Sequence, residues 1–232
     1  MKVLITGATG MVGGEALRVC LESPEVGEVI TLGRRATGID HPKLKEVVHE
    51  NFLELCDVED AFEGVDLAIY CIGVYTGSVS EDRFQEIIVD YCLSFAEALH
   101  RKSPKAAVSF LSGGGADPTG KSRFIFARSL GMAEAALVGM GFPRVFIFRP
   151  GYIYPVVPRK EPNFMYRVFR PLYPLIRRVY PNMGIESDRL ARAMVQAGVR
   201  EIGDGVRQVY ENRDIRQFSA SSHAVQCNGR RP

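Results

Sequence analysis

The sequence is poor in the residues that build metal centres, disulfide frameworks and membrane spans. Its five cysteines (Cys20, Cys56, Cys71, Cys92, Cys227) form no C-x-x-C pair and are odd in number. Cys71 falls in an apolar strand-like run, and Cys20 and Cys92 fall in helical segments. That placement suits buried free thiols in a reducing compartment. Four scattered histidines (His41, His49, His100, His223) lack metal-ligand spacing, so no metal site is expected. No apolar run reaches the roughly 20 residues needed to cross a bilayer. The N-terminus enters a core strand without a signal-peptide pattern, and the expectation is a cytoplasmic protein. A net charge of +2 leaves no footprint for nucleic acid. A G-x-S-x-G elbow is also missing, which argues against a serine hydrolase.

What is present is more specific. The run Gly7-Ala8-Thr9-Gly10-Met11-Val12-Gly13 stands directly behind the apolar Val3-Leu4-Ile5. An apolar-periodic segment from Val12 to Leu21 follows it. A strand, a glycine turn and a helix in that order form a nucleotide diphosphate site. Glycine removes the Cβ atoms that would block a pyrophosphate, and the first amides of the helix face the anion. The spacing G-x-x-G-x-x-G departs from the general G-x-G-x-x-G fingerprint, so context carries the reading rather than the pattern.

A second strand, Val29 to Leu32, ends in Gly33-Arg34-Arg35, about twenty residues past the glycines. An acidic residue here would hold the ribose 2′-hydroxyl of NAD, whereas arginine accommodates a 2′-phosphate. No Asp or Glu occurs between Leu32 and Ile39. A planar guanidinium suits a phosphate dianion and can stack on adenine. The expected cofactor is NADP.

Strands and helices alternate along the rest of the chain. Strands are expected around Val47-Val48, over Asp66 to Gly73, over Ala106 to Leu111 and over Val145 to Phe148. Helices are expected over Val58 to Phe62, Glu81 to Lys102, Phe124 to Val138 and Ser187 to Val199, the last capped by Ser187. On the second of these, Phe84, Ile87, Ile88, Tyr91, Phe95 and Leu99 form one apolar stripe. Alternation implies parallel crossovers. The expected fold is α/β, a doubly wound parallel sheet (Rossmann fold) with a small helical C-terminal lid region. With 46% hydrophobic residues, the chain can bury one domain over residues 1–216. In such sheets ligands lie beyond the carboxyl ends of the strands, where Gly7–Gly13, Arg34, Gly73, Ser112 and Pro150-Gly151 all fall.

Thr6 to Gly13, Tyr70-Cys71-Ile72-Gly73, Ser112-Gly113-Gly114 and Phe148-Arg149-Pro150-Gly151 together resemble the atypical short-chain dehydrogenase/reductases. Within them the chain is similar to the small NAD(P)-binding epimerase/dehydratase-like proteins related to the HIV Tat-interacting oxidoreductase, over roughly residues 1–216. The resemblance implies a cofactor site of Gly7, Thr9, Gly10, Met11, Val12, Gly13, Arg34, Arg35, Cys71, Ile72, Gly73, Ser112, Pro150, Gly151 and Tyr152. It also implies that Asn51-Phe52 lies alongside adenine, with Asp57-Val58 as the alternative.

The chemistry implied by the resemblance uses a serine on the substrate oxygen, a tyrosine that exchanges a proton, and a lysine four residues later. That spacing puts the last two on one helix face. Ser112 matches the serine. Aligning Gly131 and Glu134 with the family's K-G-x-x-E puts Phe126 at the tyrosine and Leu130 at the lysine. A shift of two residues puts Phe124 and Arg128 there instead. Neither register supplies the tyrosine. Tyr75 and Tyr152, beside Gly73 and Gly151, are the other proton-donor candidates, although a tyrosine packing at the cleft rim explains either. The readings are an NADP-dependent oxidoreductase or epimerase of a small-molecule substrate, or a non-catalytic NADP-binding sensor or scaffold.

Residues 159 to 181 mix aromatics, arginines and prolines. A lid within 151–200, or plain packing, is expected there. Membrane docking is not, because Pro171 and Pro174 interrupt the long amphipathic helix it prefers. The polar tail 217–232 is expected to be disordered.

Overall fold

The first strand, β1 (Lys2–Thr6), lies near the middle of a parallel sheet and organises everything around it. The computed structural model describes residues 1–157, 184–199 and 206–217. In chain order, β1 leads through helix α1 (Met11–Glu22) to β2 (Glu28–Gly33) and β3 (Leu44–Val48). A 3-10 turn (Cys56–Phe62) precedes β4 (Leu67–Tyr70). Helix α2 (Glu81–Gln85), a π-helical turn (Glu86–Asp90) and helix α3 (Tyr91–Lys102) then run without a break. Next come β5 (Ala107–Leu111), α4 (Ile125–Gly139), β6 (Arg144–Arg149) and β7 (Tyr152–Tyr154). Finally, β8 (Gly184–Glu186), α5 (Ser187–Val199) and β9 (Val206–Glu211) are described.

Seven strands form the main sheet in the order β3-β2-β1-β4-β5-β6-β9, every pairing parallel. The winding reverses between β1 and β4. That switch point opens a crevice at the carboxyl ends of the strands. A separate parallel ladder joins β7 to β8.

Both faces of the sheet are covered, which is why its strands read as continuous apolar runs. Successive residues feed opposite cores. Leu4, Ile30, Ala68, Tyr70, Phe110 and Ile147 pack with α2, α3 and α4. Val3, Ile5, Val29, Leu67, Ile69, Phe146 and Phe148 pack with α1 and α5. Helix α1 contributes Val12, Ala16, Leu17 and Cys20, spaced to share one face, and α5 contributes Leu190, Ala191, Met194 and Val195.

Three details depart from the sequence expectations. The strand expected over Asp66 to Gly73 ends at Tyr70, because the chain turns at Cys71 to pass the glycine turn. The helix over Glu81 to Lys102 exists with its expected stripe, but it carries a π turn at Glu86–Asp90. Phe84, Ile88, Tyr91, Phe95 and Leu99 of the stripe are buried in the core with Ile87 packed against it, and Ile87 and Tyr91 also line a cleft. Ser187 begins α5, yet its hydroxyl accepts a hydrogen bond from the Val156 amide at 3.2 Å. It therefore ties α5 to the chain after β7. The lid segment 159–181 and the tail from 218 to 232 lie outside the described residues. No helix among the described residues is long and apolar enough to cross a membrane.

Candidate cofactor cleft and inner chamber

Each of the three glycines after β1 answers a different geometric demand. Gly7 takes φ +71°, and a Cβ there would stand 2.4 Å from the Cys71 carbonyl oxygen. Only glycine allows that crossing next to β4. Gly10 is the extended N-cap residue of α1, and its amide donates to the Gly7 carbonyl at 2.8 Å. No side chain caps this helix, and its first turn carries no acidic residue. Its leading amides are therefore available to an anion. Gly13 brings the helix against the turn, where a Cβ would lie 2.2 Å from the Gly7 oxygen.

The turn forms the floor of a cleft of about 270 Å³. Gly7, Ala8, Thr9 and Gly10 line the floor, and Thr31 to Arg35 line one wall. Cys71 to Val74 form the opposite side, with Phe52, Arg83, Ile87 and Tyr91 closing the end. Of the expected residues, Met11, Val12 and Gly13 stand outside this lining, in the first turn of α1. Arg34 and Arg35 both border the cleft with exposed side chains, and neither has an ion-pair partner among the described residues. No carboxylate borders the cleft among those residues.

Asn51 and Phe52 part company. Phe52 is buried and stacks on Tyr91 with ring centroids 5.6 Å apart, both rings lining the cleft. Asn51 is outside the lining and closes its own turn. Its Oδ1 accepts from the Leu53 amide at 3.1 Å, and its Nδ2 donates to Glu54 at 3.3 Å. The sequence reasoning missed Arg83 and Tyr91. The Arg83 guanidinium lies 5.6 Å from the Tyr91 ring centroid and pairs with Glu86. Helical periodicity places Tyr91 in the core, where it is buried, and periodicity leaves no mark of its also lining the cleft, just past a π turn. Such turns often occur at functional sites. Cys71 is half-buried in the cleft wall, and burial pushes its thiol up to about 12.

A second chamber, also about 270 Å³, adjoins the cleft and shares Ile72, Gly73 and Val74 with it. Phe84, Ile88, Phe110, Phe126, Leu130 and Ile153 give it apolar walls. Tyr75, Thr76 and Ser112 are its polar side chains among the described residues. Both Phe126 and Leu130 thus reach the chamber. Phe124 is 67% exposed, and Arg128 donates to the Ser122 carbonyl at 3.0 Å.

Ser112 does not stand alone. Its hydroxyl donates to Oε1 of Glu134 at 2.5 Å. Glu134 is fully buried and receives two further hydrogen bonds from Arg149: Nε to Oε1 at 2.9 Å, and Nη2 to Oε2 at 2.5 Å. This fork-on-fork contact raises the Arg149 pKa above its ordinary value. Glu134 as the partner of Ser112, and Arg149 as the partner of Glu134, were also missed, although both belong to the motifs quoted from the sequence. Pro150 and Gly151 are structural neighbours of this loop. The Gly114 amide donates to the Pro150 carbonyl at 2.7 Å, and the Gly151 amide to Asn212 Oδ1 at 3.1 Å. Pro150, Gly151 and Tyr152, the first residue of β7, are outside both linings.

Residues 3–130 match the NAD dependent epimerase/dehydratase family. The chain belongs to that family. It is 30% identical over 154 residues to protein HTATIP2 of Rattus norvegicus, covering 66% of this chain and 62% of that one. To the mitochondrial protein FMP52 of Meyerozyma guilliermondii it is 26% identical over 153 residues, covering 66% of this chain and 65% of that relative. These matches span just under two thirds of the relatives' length. Among solved structures, the Bordetella bronchiseptica enzyme WbmG in complex with NAD is similar at a TM-score of 0.64. It is 15% identical, with 99% of this chain and 79% of that chain covered. That likeness shows the Rossmann fold. Within that family the chain is of the atypical short-chain dehydrogenase/reductase type.

Proposed function

We propose that this protein binds NADP(H) in the cleft and acts as an oxidoreductase or epimerase on a small carbonyl or hydroxyl compound in the chamber. One observation carries the choice of NADP: Arg34 and Arg35 border the cleft at the end of β2, with no carboxylate in its lining among the described residues. An acidic residue there would repel a 2′-phosphate, whereas guanidinium groups attract it. The fit extends to the diphosphate, for which Gly7, Gly10 and the uncapped start of α1 leave room and donors. Phe52, Tyr91 and Arg83 offer an aromatic and cationic flank to adenine. When bound, the cofactor supplies hydride chemistry at its nicotinamide. Calorimetric titration with NADPH and NADH tests the reading, and equal affinity for the two would end it.

A second reading is favoured by Phe126 and Leu130. Both line the chamber where the family alignment puts the proton donor and its lysine, and neither can move a proton. The exposure of Phe124 supports that register over the shifted one. On this reading the protein binds NADP(H) as a sensor or scaffold without turnover. Following NADPH oxidation over a panel of carbonyl compounds separates the two. The free thiols Cys20, Cys56, Cys71 and Cys92 fit a reducing compartment such as the cytoplasm, which fractionation of the tagged protein would test against the mitochondrion.

A further inference from the structure

The hydroxyl proton of Ser112, in the chamber wall, is already committed. The hydroxyl is a single donor with two acceptor lone pairs. Its proton points to Glu134 Oε1, 2.5 Å away. Could Glu134 be the donor instead? Arg149 makes two hydrogen bonds to that carboxylate, one to each oxygen, and Glu134 has no exposure to water. With Arg149 donating to both oxygens, the carboxylate is the acceptor from Ser112 as well. The hydroxyl cannot turn away without leaving a buried charge short of a hydrogen bond. Ser112 is therefore left with lone pairs for anything that enters the chamber.

We propose that Glu134 and Arg149 make Ser112 a hydrogen-bond acceptor, so that the chamber selects a ligand presenting a hydroxyl over one presenting a carbonyl oxygen. Glu134 acts through Ser112 and is a positioning residue. The ligand class follows from the walls as well. Phe84, Ile88, Phe110, Phe126 and Leu130 surround Ser112 with apolar surface, so the ligand is an apolar alcohol. A ketone of the same shape would set its oxygen against the Ser112 oxygen, two acceptors with no proton between them. The inference rests on the proposed reading only in taking the chamber as the substrate site. It needs no cofactor, because the chain alone builds the chamber.

The test uses a matched pair, cyclohexanol and cyclohexanone, titrated by calorimetry or ligand-observed NMR with the full chain. Each titration is run with and without NADP+, and NADP+ binding is measured separately. Failure of cofactor binding and failure of the alcohol preference are then distinct results. The wild type is expected to bind the alcohol about tenfold more tightly, the value of one satisfied rather than opposed hydrogen bond. Ser112→Ala should erase the preference. Glu134→Leu is the decisive variant. It has no acceptor at the position where Ser112 and Arg149 Nε converge, so the hydroxyl proton is freed to turn to the ligand. The alcohol preference should then be lost or reverse toward the ketone, which a merely structural role for Glu134 would not produce. If Glu134→Leu fails to fold by circular dichroism, the wild type and Ser112→Ala still decide. Equal binding, a ketone preference or no binding of either probe in the wild type overturns the proposal, as does an alcohol preference that survives in Ser112→Ala.

Discussion

Gly13 approaches Gly7 so closely that a Cβ on Gly13 would stand 2.2 Å from the Gly7 carbonyl oxygen. Backbone, not a flexible side chain, occupies that space, so the clash can be relieved only by moving α1 away from the turn. Gly13→Ala should therefore cost about 2 kcal/mol or more of folding stability, in the range of overpacked cores. Gly10→Ala meets the same oxygen at 2.9 Å and should cost less. Urea unfolding of the two variants measures the difference. Equal losses would mean that the helix slides freely over the turn.

Cofactor preference should depend on salt as well as on sequence. Arg34 and Arg35 are exposed, so each charge-assisted contact to a 2′-phosphate should contribute about 1.5 kcal/mol, the low end of its range. The wild type should bind NADPH at least about tenfold more tightly than NADH. Arg34→Ala/Arg35→Ala should remove the gap, and raising ionic strength should narrow it. A gap unchanged in the double variant would move the phosphate contact elsewhere, with Arg83 the first residue to examine.

Turnover should be weak and recoverable. Phe126 and Leu130 lie 3.8 Å and 3.1 Å from where Cβ atoms on Gly115 and Gly113 would be, directly over the loop that follows Ser112. Phe126→Tyr/Leu130→Lys puts a phenol and an ammonium into that position. General acid–base assistance contributes about 10²–10⁴-fold, so the variant should gain in that range on a carbonyl panel. Brisk wild-type turnover with no gain would point to a proton from Tyr75, which also lines the chamber. Tyr75→Phe would then lose it.

Thiol chemistry should separate the four described cysteines. Burial pushes Cys20 and Cys71 up to about 12, and Cys92 is raised by the same cause, whereas Cys56 is exposed. At pH 8 iodoacetamide should label Cys56 and leave the other three until the chain unfolds, as peptide mapping would show. The linkage follows in sign. A thiol titrates near about 8.5 when unfolded, so the stability from these protonated thiols is complete below that pH. It is lost as pH rises from about 9 toward 12. The urea midpoint should accordingly fall between pH 8 and pH 10, and a flat profile would contradict buried thiols.

Much of the fold was legible because its determinants are local. A strand buried on both faces needs an apolar run, and a parallel crossover needs a helix before the next strand. The runs around β1, β2, β4, β5 and β6 show both. The edge elements were less legible. β9 is a surface strand in which Val209 is 37% exposed, and β7 and β8 are three residues each. So short or mixed a pattern carries no period.

For the site, the sequence by itself determined the glycine turn, the arginines that follow β2 and the loop after β5. Each lies at a strand's carboxyl end, and a parallel sheet brings such ends together whatever the side chains do. Only the tertiary structure decided where side chains point. Tyr91, buried in the core, also lines the cleft with Arg83 over its ring. A local turn consumes the Asn51 amide. The parallel pairing of β5 with β6 brings Arg149 beside the end of β5, where Glu134 on α4 meets both Arg149 and Ser112. Apolar spacing tells which face of an element is buried. The partner that takes a hydroxyl's proton depends on distances between elements, and those exist only once the layers have packed.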